Sequence, residues 1–109
     1  MFDQNGKVAV ITGGGTGIGR ATALLFAARG ADVVLASRKV ENLERVAAEV
    51  VDGTGRRAEV IATDVREVDE CHHLIDESLA RLGRVDVLVN NAGGSRTYPF
   101  DAWTPDPGR

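Results

Sequence analysis

Two apolar rhythms alternate along this chain. Val8-Ala9-Val10-Ile11 is a continuous, β-branched run, as expected of a strand covered on both faces. Beyond a cluster of glycines, Ile18, Ala21, Leu25 and Ala28 recur as a helical stripe, and Gly30 stands where a helix C-cap belongs. Val33-Val34-Leu35-Ala36, inside Asp32 to Ser37, is a second strand. Val40, Leu43, Ala47 and Val50 form a second helical stripe, closed by Asp52-Gly53-Thr54-Gly55. Ala58 to Ala62 reads as a third strand. A third helix is expected from about Val68 to Leu82, with Cys71, Ile75, Leu79 and Leu82 on one face. Glu67, Asp69 and Glu70 lie in its first turn, where the helix dipole favours acids, and Gly83 ends it. Val85-Asp86-Val87-Leu88-Val89 is the fourth strand.

The order is therefore β-α-β-α-β-α-β. Helical crossovers of this length imply parallel strands and right-handed connections. The simplest sheet order is 3-2-1-4, an α/β doubly wound arrangement whose topological switch lies between strands 1 and 4. Ligands bind at such a switch, outside the carboxyl ends of the strands.

Composition narrows the class without naming a function. A chain of 109 residues with 43% hydrophobic and 27% charged residues is one ordinary globular domain. A net charge of −3 argues against nucleic acid, which calls for a basic face. The single cysteine, Cys71, excludes an intramolecular disulfide. No apolar run approaches the roughly 20 residues of a membrane span, and Met1 to Gly6 lacks the basic-then-apolar order of a signal peptide. The expectation is a cytoplasmic protein with no membrane partner.

Thr12-Gly13-Gly14-Gly15-Thr16-Gly17-Ile18-Gly19 joins the first strand to the first helix. Glycines directly after a buried strand let the backbone approach a pyrophosphate, and the helix N-terminus offers free N–H groups to it. The pattern G-x-G-x-x-G begun at Gly13 would need glycine at 18, where Ile18 stands. A Walker A loop over Gly14 to Gly19 would need Lys and Ser/Thr where Arg20-Ala21 stand, so phosphoryl transfer lacks its lysine. The spacing that fits is G-x-x-x-G-x-G through Gly13, Gly17 and Gly19. A receiver-like domain would need acids at the end of strand 1, where Thr12-Gly13 stand instead.

With these residues the sequence resembles the short-chain dehydrogenase/reductase family, whose glycine motif is T-G-x-x-x-G-x-G. Asp64-Val65 after the third strand and Asn90-Asn91-Ala92-Gly93 after the fourth match that family's further motifs at the right distances. The resemblance covers Gly6 to Gly93 and implies a Rossmann-type fold. It implies that the backbone of Gly13, Gly15, Thr16, Gly17, Ile18 and Gly19 lines a pyrophosphate. Asp64 would accept a hydrogen bond from adenine, with Val65 against the ring. Asn90, Ala92 and Gly93 would border the cofactor's riboses, and Asn91 would tie strand ends together. Taken singly, Asp64 could equally cap the turn into the third helix, and the asparagines could equally satisfy backbone groups.

An NAD-preferring domain places an acid at the end of strand 2, about 20 residues past the glycines. That slot holds Ala36-Ser37-Arg38-Lys39, with no carboxylate. Ser37 can donate a hydrogen bond to a 2′-phosphate, Arg38 can pair with it through its planar fork, and Lys39 adds attraction. The expectation is NADP(H) rather than NAD(H). The resemblance further implies an oxidoreductase that moves hydride between this cofactor and a small-molecule carbonyl or alcohol, homo-oligomeric when complete.

No catalytic residue is assigned. The family uses a Ser and a Tyr-x-x-x-Lys pair on a later helix, whereas Tyr98 is followed at the fourth position by Ala102, and Ser95 lies in the same loop stretch. No metal site is assigned either: His72 and His73 are adjacent, with His72 expected beside the apolar face and His73 toward solvent. The strand–helix pattern stops after the fourth strand, and Pro105, Pro107 and Gly108 oppose a helix. The expected division is a nucleotide-binding half-domain over 1–93 and a tail of an incomplete domain over 94–109. On that reading the chain is a fragment, alone inactive, with strand 4 left as an unpaired edge. The alternative is a non-catalytic dinucleotide-binding fragment.

Overall fold

Each expected run forms a strand parallel to its neighbours, except that the fourth covers Val87–Asn90 and leaves out Val85 and Asp86, the latter being bonded to Val8 at the strand's entry. The computed structural model describes residues 3–13, 15 and 17–91. Its elements are β1 (Val8–Thr12), α1 (Gly17–Ala28), β2 (Asp32–Ser37), α2 (Val40–Thr54), β3 (Ala58–Ala62), α3 (Val68–Leu82) and β4 (Val87–Asn90). The sheet order is β3-β2-β1-β4, as expected, with every pairing parallel. This is the Rossmann-type α/β plan. Among the described residues, no helix is long and apolar enough to cross a membrane.

All five residues of β1 are buried. Their side chains alternate between two cores, as the period of two along a strand requires. Ala9 and Ile11, with Val33 and Leu35 of β2, pack against α1 and α2 through Ala23, Ala27, Leu43, Val46 and Val50. Val8 and Val10, with Val34, Ala36 and Ile61, face the opposite side and meet Leu74 of α3. Burying side chains such as Ile11, Leu35 or Leu43 contributes about 1.5–3 kcal/mol apiece. β4 forms one edge of the sheet and its residues are only half-buried.

The helix faces differ from the expected stripes. α1 buries Gly19, Ala23 and Ala27, whereas Ile18 and Leu25 are exposed, and so are Ala21 and Ala28. The reason is volume. Small residues at four-residue spacing let the helix axis come close to β1 and β2, where Ile or Leu would hold it off. α3 buries Cys71, Leu74 and Ser78; Ile75 and Leu82 are half-buried and Leu79 is exposed. Ser78 tolerates burial because its hydroxyl donates to the Leu74 carbonyl at 2.7 Å. α2 buries Leu43, Val46 and Val50, with Val40 and Ala47 packed at the margin. His72 and His73 are both exposed, so His72 does not sit against the apolar face.

The two strands that flank the switch are stitched at both ends. At the amino end, the Val8 N–H donates to the Asp86 carboxylate at 2.8 Å, and the Asp86 N–H donates to the Val8 carbonyl at 2.9 Å. The Arg84 guanidinium, and then the Val8 N–H, hold the Asp86 carboxyl below its ordinary range. At the carboxyl end, the fully buried Thr12 accepts the Asn91 N–H at 3.0 Å. Its hydroxyl lies 3.0 Å from Asn90 Oδ1 and 3.3 Å from the Val89 carbonyl, to either of which it can donate. Thr12→Val keeps the shape but removes both roles of the hydroxyl. It is expected to lower unfolding free energy by about 1–3 kcal/mol, whereas Thr12→Ser, which loses one methyl, is expected to cost about 0.8 kcal/mol. Urea unfolding of the two variants checks this; equal losses would show that the hydroxyl stabilises nothing.

Candidate functional site

Parallel strands deliver all their carboxyl ends to one side, and the first two of these form a cleft. The chain leaves β1 through Gly13, whose N–H donates to the Ala36 carbonyl at 2.7 Å, tying the loop to the end of β2. Gly13 has φ 68° and Gly17 has φ 56°. Both are left-handed conformations that a side chain would strain, so the two glycines bend the loop into the start of α1. Gly15 is required for a different reason. A Cβ there would lie 2.9 Å from the Cβ of Asn42, in the first turn of α2. The glycine loop therefore rests directly on that helix.

The resulting cleft, about 250 Å³ in volume, is lined by Gly13, Gly15, Ser37, Arg38, Lys39 and Asn42. Among the described residues that line it there is no carboxylate. Six other arginines are engaged in ion pairs: Arg20 with Glu49, Arg56 with Asp32, Arg57 with Glu59, Arg66 with Asp64, Arg81 with Glu59 and Glu77, and Arg84 with Asp86. Exposed pairs of this kind stabilise weakly, by about 0–1 kcal/mol. Among the described residues the side chains of Arg29, Arg38 and Arg45 make no ion pair or hydrogen bond, and of these three Arg38 is the one that lines the cleft. Ser37 is not free in the same sense, because its hydroxyl donates to the Lys39 carbonyl at 3.1 Å.

The sequence-derived candidates do not all meet in this cleft. Gly13, Gly15, Ser37 and Arg38 do. Gly17, Ile18 and Gly19 form the first turn of α1, with Gly19 buried against the sheet and Ile18 74% exposed. Asp64 and Val65 follow β3 and are half-buried outside the cleft lining. Asn90 ends β4, on the other side of β1, with its side-chain oxygen near the Thr12 hydroxyl. Asn90 thus shares the strand-tying role expected of Asn91. Thr16, Ala92 and Gly93 lie outside the described residues. The cleft also contains Asn42, which pattern reading does not single out; its only sequence signal is an amide in the first helical turn after a basic loop.

Asp64 is held firmly. Its Oδ1 accepts from the Arg66 N–H and Nε, both at 3.0 Å, and its Oδ2 accepts from Nη2 at 2.9 Å. The Arg66 side chain, then its backbone N–H, lower the Asp64 pKa to about 2, with a smaller attraction from Arg38. The turn-capping role is therefore real. Oδ2 still has a lone pair for a further donor, since a carboxylate oxygen accepts two. Val65 is fixed by its carbonyl, which accepts the Cys71 thiol at 3.4 Å. Burial, followed by the nearby Asp64 and Glu70, pushes the Cys71 thiol up, so it stays protonated as that donor. Among the described residues, no group of three metal-ligating side chains exists.

The lining offers hydrogen-bond donors and positive charge and no group suited to general-base chemistry at neutral pH. The described lining is suited to holding an anion.

The sequence and the fold both have known relatives. The model of the short chain dehydrogenase family matches residues 7–106. An uncharacterized oxidoreductase of Mycobacterium tuberculosis is 45% identical over 95 residues, which are 87% of this chain and 36% of that protein. A metagenomic short-chain oxidoreductase solved in complex with NADP superposes with TM-score 0.78 at 46% identity, covering 83% of this chain and 40% of that one. L-Sorbose reductase from Gluconobacter frateurii, solved with NADPH and L-sorbose, superposes with TM-score 0.81 at 35% identity over 97% of this chain and 40% of that one. The chain spans about a third of the length of the curated relatives it matches.

Two outcomes are expected. Gly15→Ala forces the Asn42 stem and the first turn of α2 to move, at a cost of about 1–3 kcal/mol in urea unfolding; an unchanged midpoint would mean that loop and helix are not in contact. Asp64 has a folded pKa below its unfolded value of 3.8, so its pairing with Arg66 stabilises above that pH and is lost as pH falls toward about 2. Thermal melts of the wild type and Asp64→Asn should differ at pH 5 and converge by pH 2.

Proposed function

The chain belongs to the short chain dehydrogenase family, and from that membership we propose that it is the cofactor-binding part of an NADP(H)-dependent oxidoreductase. In the complete protein NADP(H) supplies or accepts the hydride that interconverts a small-molecule carbonyl and alcohol. This chain's own part is to hold and orient the dinucleotide. The observation that carries the cofactor choice is the unpaired Arg38 guanidinium in a cleft without a carboxylate. A 2′-phosphate is a dianion with oxygens set for a two-pronged guanidinium, whereas an NAD-type site would present an acid there.

The other residues take roles that their positions allow. The backbone over Gly13, Gly15, Thr16, Gly17, Ile18 and Gly19 receives the pyrophosphate, with the free N–H groups of the first turn of α1 directed to it. Gly13 and Gly17 suit this because their left-handed backbone keeps the loop low. Asp64 retains a lone pair for the adenine amino group, and Val65 lies beside it. Asn90, across β1 from the cleft, borders the riboses, and the same role is proposed for Ala92 and Gly93, which lie outside the described residues. Ser37 joins the phosphate contacts only by giving up its bond to Lys39. Proton transfer belongs to residues outside this set, since Tyr98 lacks the lysine four positions on. The 109-residue chain alone is expected to bind without turnover.

Calorimetric titration of the chain with NADPH and with NADH tests the reading. NADPH should bind more tightly, and Arg38→Asp should reduce NADPH affinity by roughly ten- to a hundredfold while sparing NADH. Equal affinities in the wild type, or no binding of either at millimolar concentration, would overturn it.

A further inference from the structure

Asn42 lines the cleft, yet neither the glycine loop nor the basic turn explains it. It lies in the first turn of α2, half-buried, with Gly15 close against its Cβ. Among the described residues its carboxamide has no hydrogen-bond partner. An amide carries two N–H donors, and a half-buried amide without partners is suited to a ligand. The surroundings define which ligand. Arg38 and Lys39 stand beside it, no acid lines the cleft, and the Ser37 hydroxyl is already donating to the Lys39 carbonyl. Asn42 is thus the neutral side-chain donor that remains available where an anion would sit.

We propose that Asn42 is a specificity-determining residue, its amide N–H donating to a phosphate monoester on the adenosine ribose beside the Arg38 guanidinium. The inference rests on the NADP(H) reading and adds to it a residue from a different element. Contact with Gly15 restrains the Asn42 stem, so the amide loses little freedom when it binds. An aspartate at this position would have the same size and would suit the first turn of a helix, where the dipole favours acids. It would also offer an acceptor and a negative charge to the phosphate. The asparagine therefore serves the anion and not the helix.

The test is calorimetry on the full 109-residue chain, as wild type, Asn42→Asp and Asn42→Ala, each titrated with NADPH and NADH, with thermal melts to verify folding. Asn42→Ala should weaken NADPH by about tenfold and Asn42→Asp by more, with NADH affinity unchanged and the melting temperature of the aspartate variant not lowered. If the wild type prefers NADPH and both variants keep that preference, Asn42 takes no part and the inference falls while the NADP(H) reading stands. Equal loss of both dinucleotides would make Asn42 a general structural residue and overturn the inference. A wild type that binds neither dinucleotide removes the NADP(H) reading and the inference with it.

Discussion

Everything at the candidate site depends on the parallel pairing of β1 with both β2 and β4. Because the strands run the same way, Thr12, Ser37, Ala62 and Asn90 all finish on one side of the sheet. Because β1 is central and fully buried, its register with both neighbours is dictated by two cores at once, and a slip by one residue would exchange every side chain between them. The chain must then leave β1 at Thr12 in a tight bend, and a left-handed Gly13 bonded to Ala36 provides it. The cleft follows from that bend: the loop crosses the end of β2 and comes to rest on α2.

β1 and β2 were legible in the sequence because burial on both faces leaves little freedom in composition, whereas β4 at the half-buried edge begins at Val87 and ends at Asn90, not at the expected Val85 and Val89. The third helix was equally legible in its limits, Val68 and Leu82, since its acids and Gly83 mark both ends. The burial faces of the helices were not. Apolar periodicity weighs residues by hydrophobicity, whereas α1 is seated by smallness, through Gly19, Ala23 and Ala27. The larger Ile18 and Leu25 attract notice in a sequence and lie on the outside of the helix. Ser78 misleads in the opposite sense, being polar but satisfied by its own helix.

The site shows the same division. Gly13 and Gly15 are separated from Ser37 and Arg38 by more than 20 residues, and the spacing of strands and turns was sufficient to expect them together. Asn42 was invisible because nothing about an amide in a helical turn signals a contact with a glycine far earlier in the chain. That contact is a property of how closely the loop approaches the helix, and so of three dimensions. Asp64 lies between these cases. Its strand-end position was legible, but its grip on Arg66 was not, and that grip gives it a structural duty beside any ligand role.

Place in the fold, and not the mere lack of an ion pair, distinguishes Arg38, since Arg29 and Arg45 are also without one among the described residues while Arg38 lines the cleft. An unpaired arginine on a convex, solvated surface is ordinary, because a guanidinium is well served by water and a surface ion pair adds little. Arg38 is itself exposed, but at a cleft its field is concentrated by the surrounding protein. Glutamate or aspartate could have relieved it, as they relieve Arg20, Arg56, Arg66 and Arg84. Instead the neighbouring positions are a lysine, an amide and glycines. A carboxylate in the cleft would stabilise the empty protein and oppose an incoming phosphate, so on the proposed reading a lining without one favours the anionic ligand. On the proposed NADP(H) reading, recognition of the ribose end would be confined to β1, β2 and the first turn of α2, elements complete within the first half of the chain. Discrimination between dinucleotides is accordingly separable from the chemistry that follows, and can be read in binding alone.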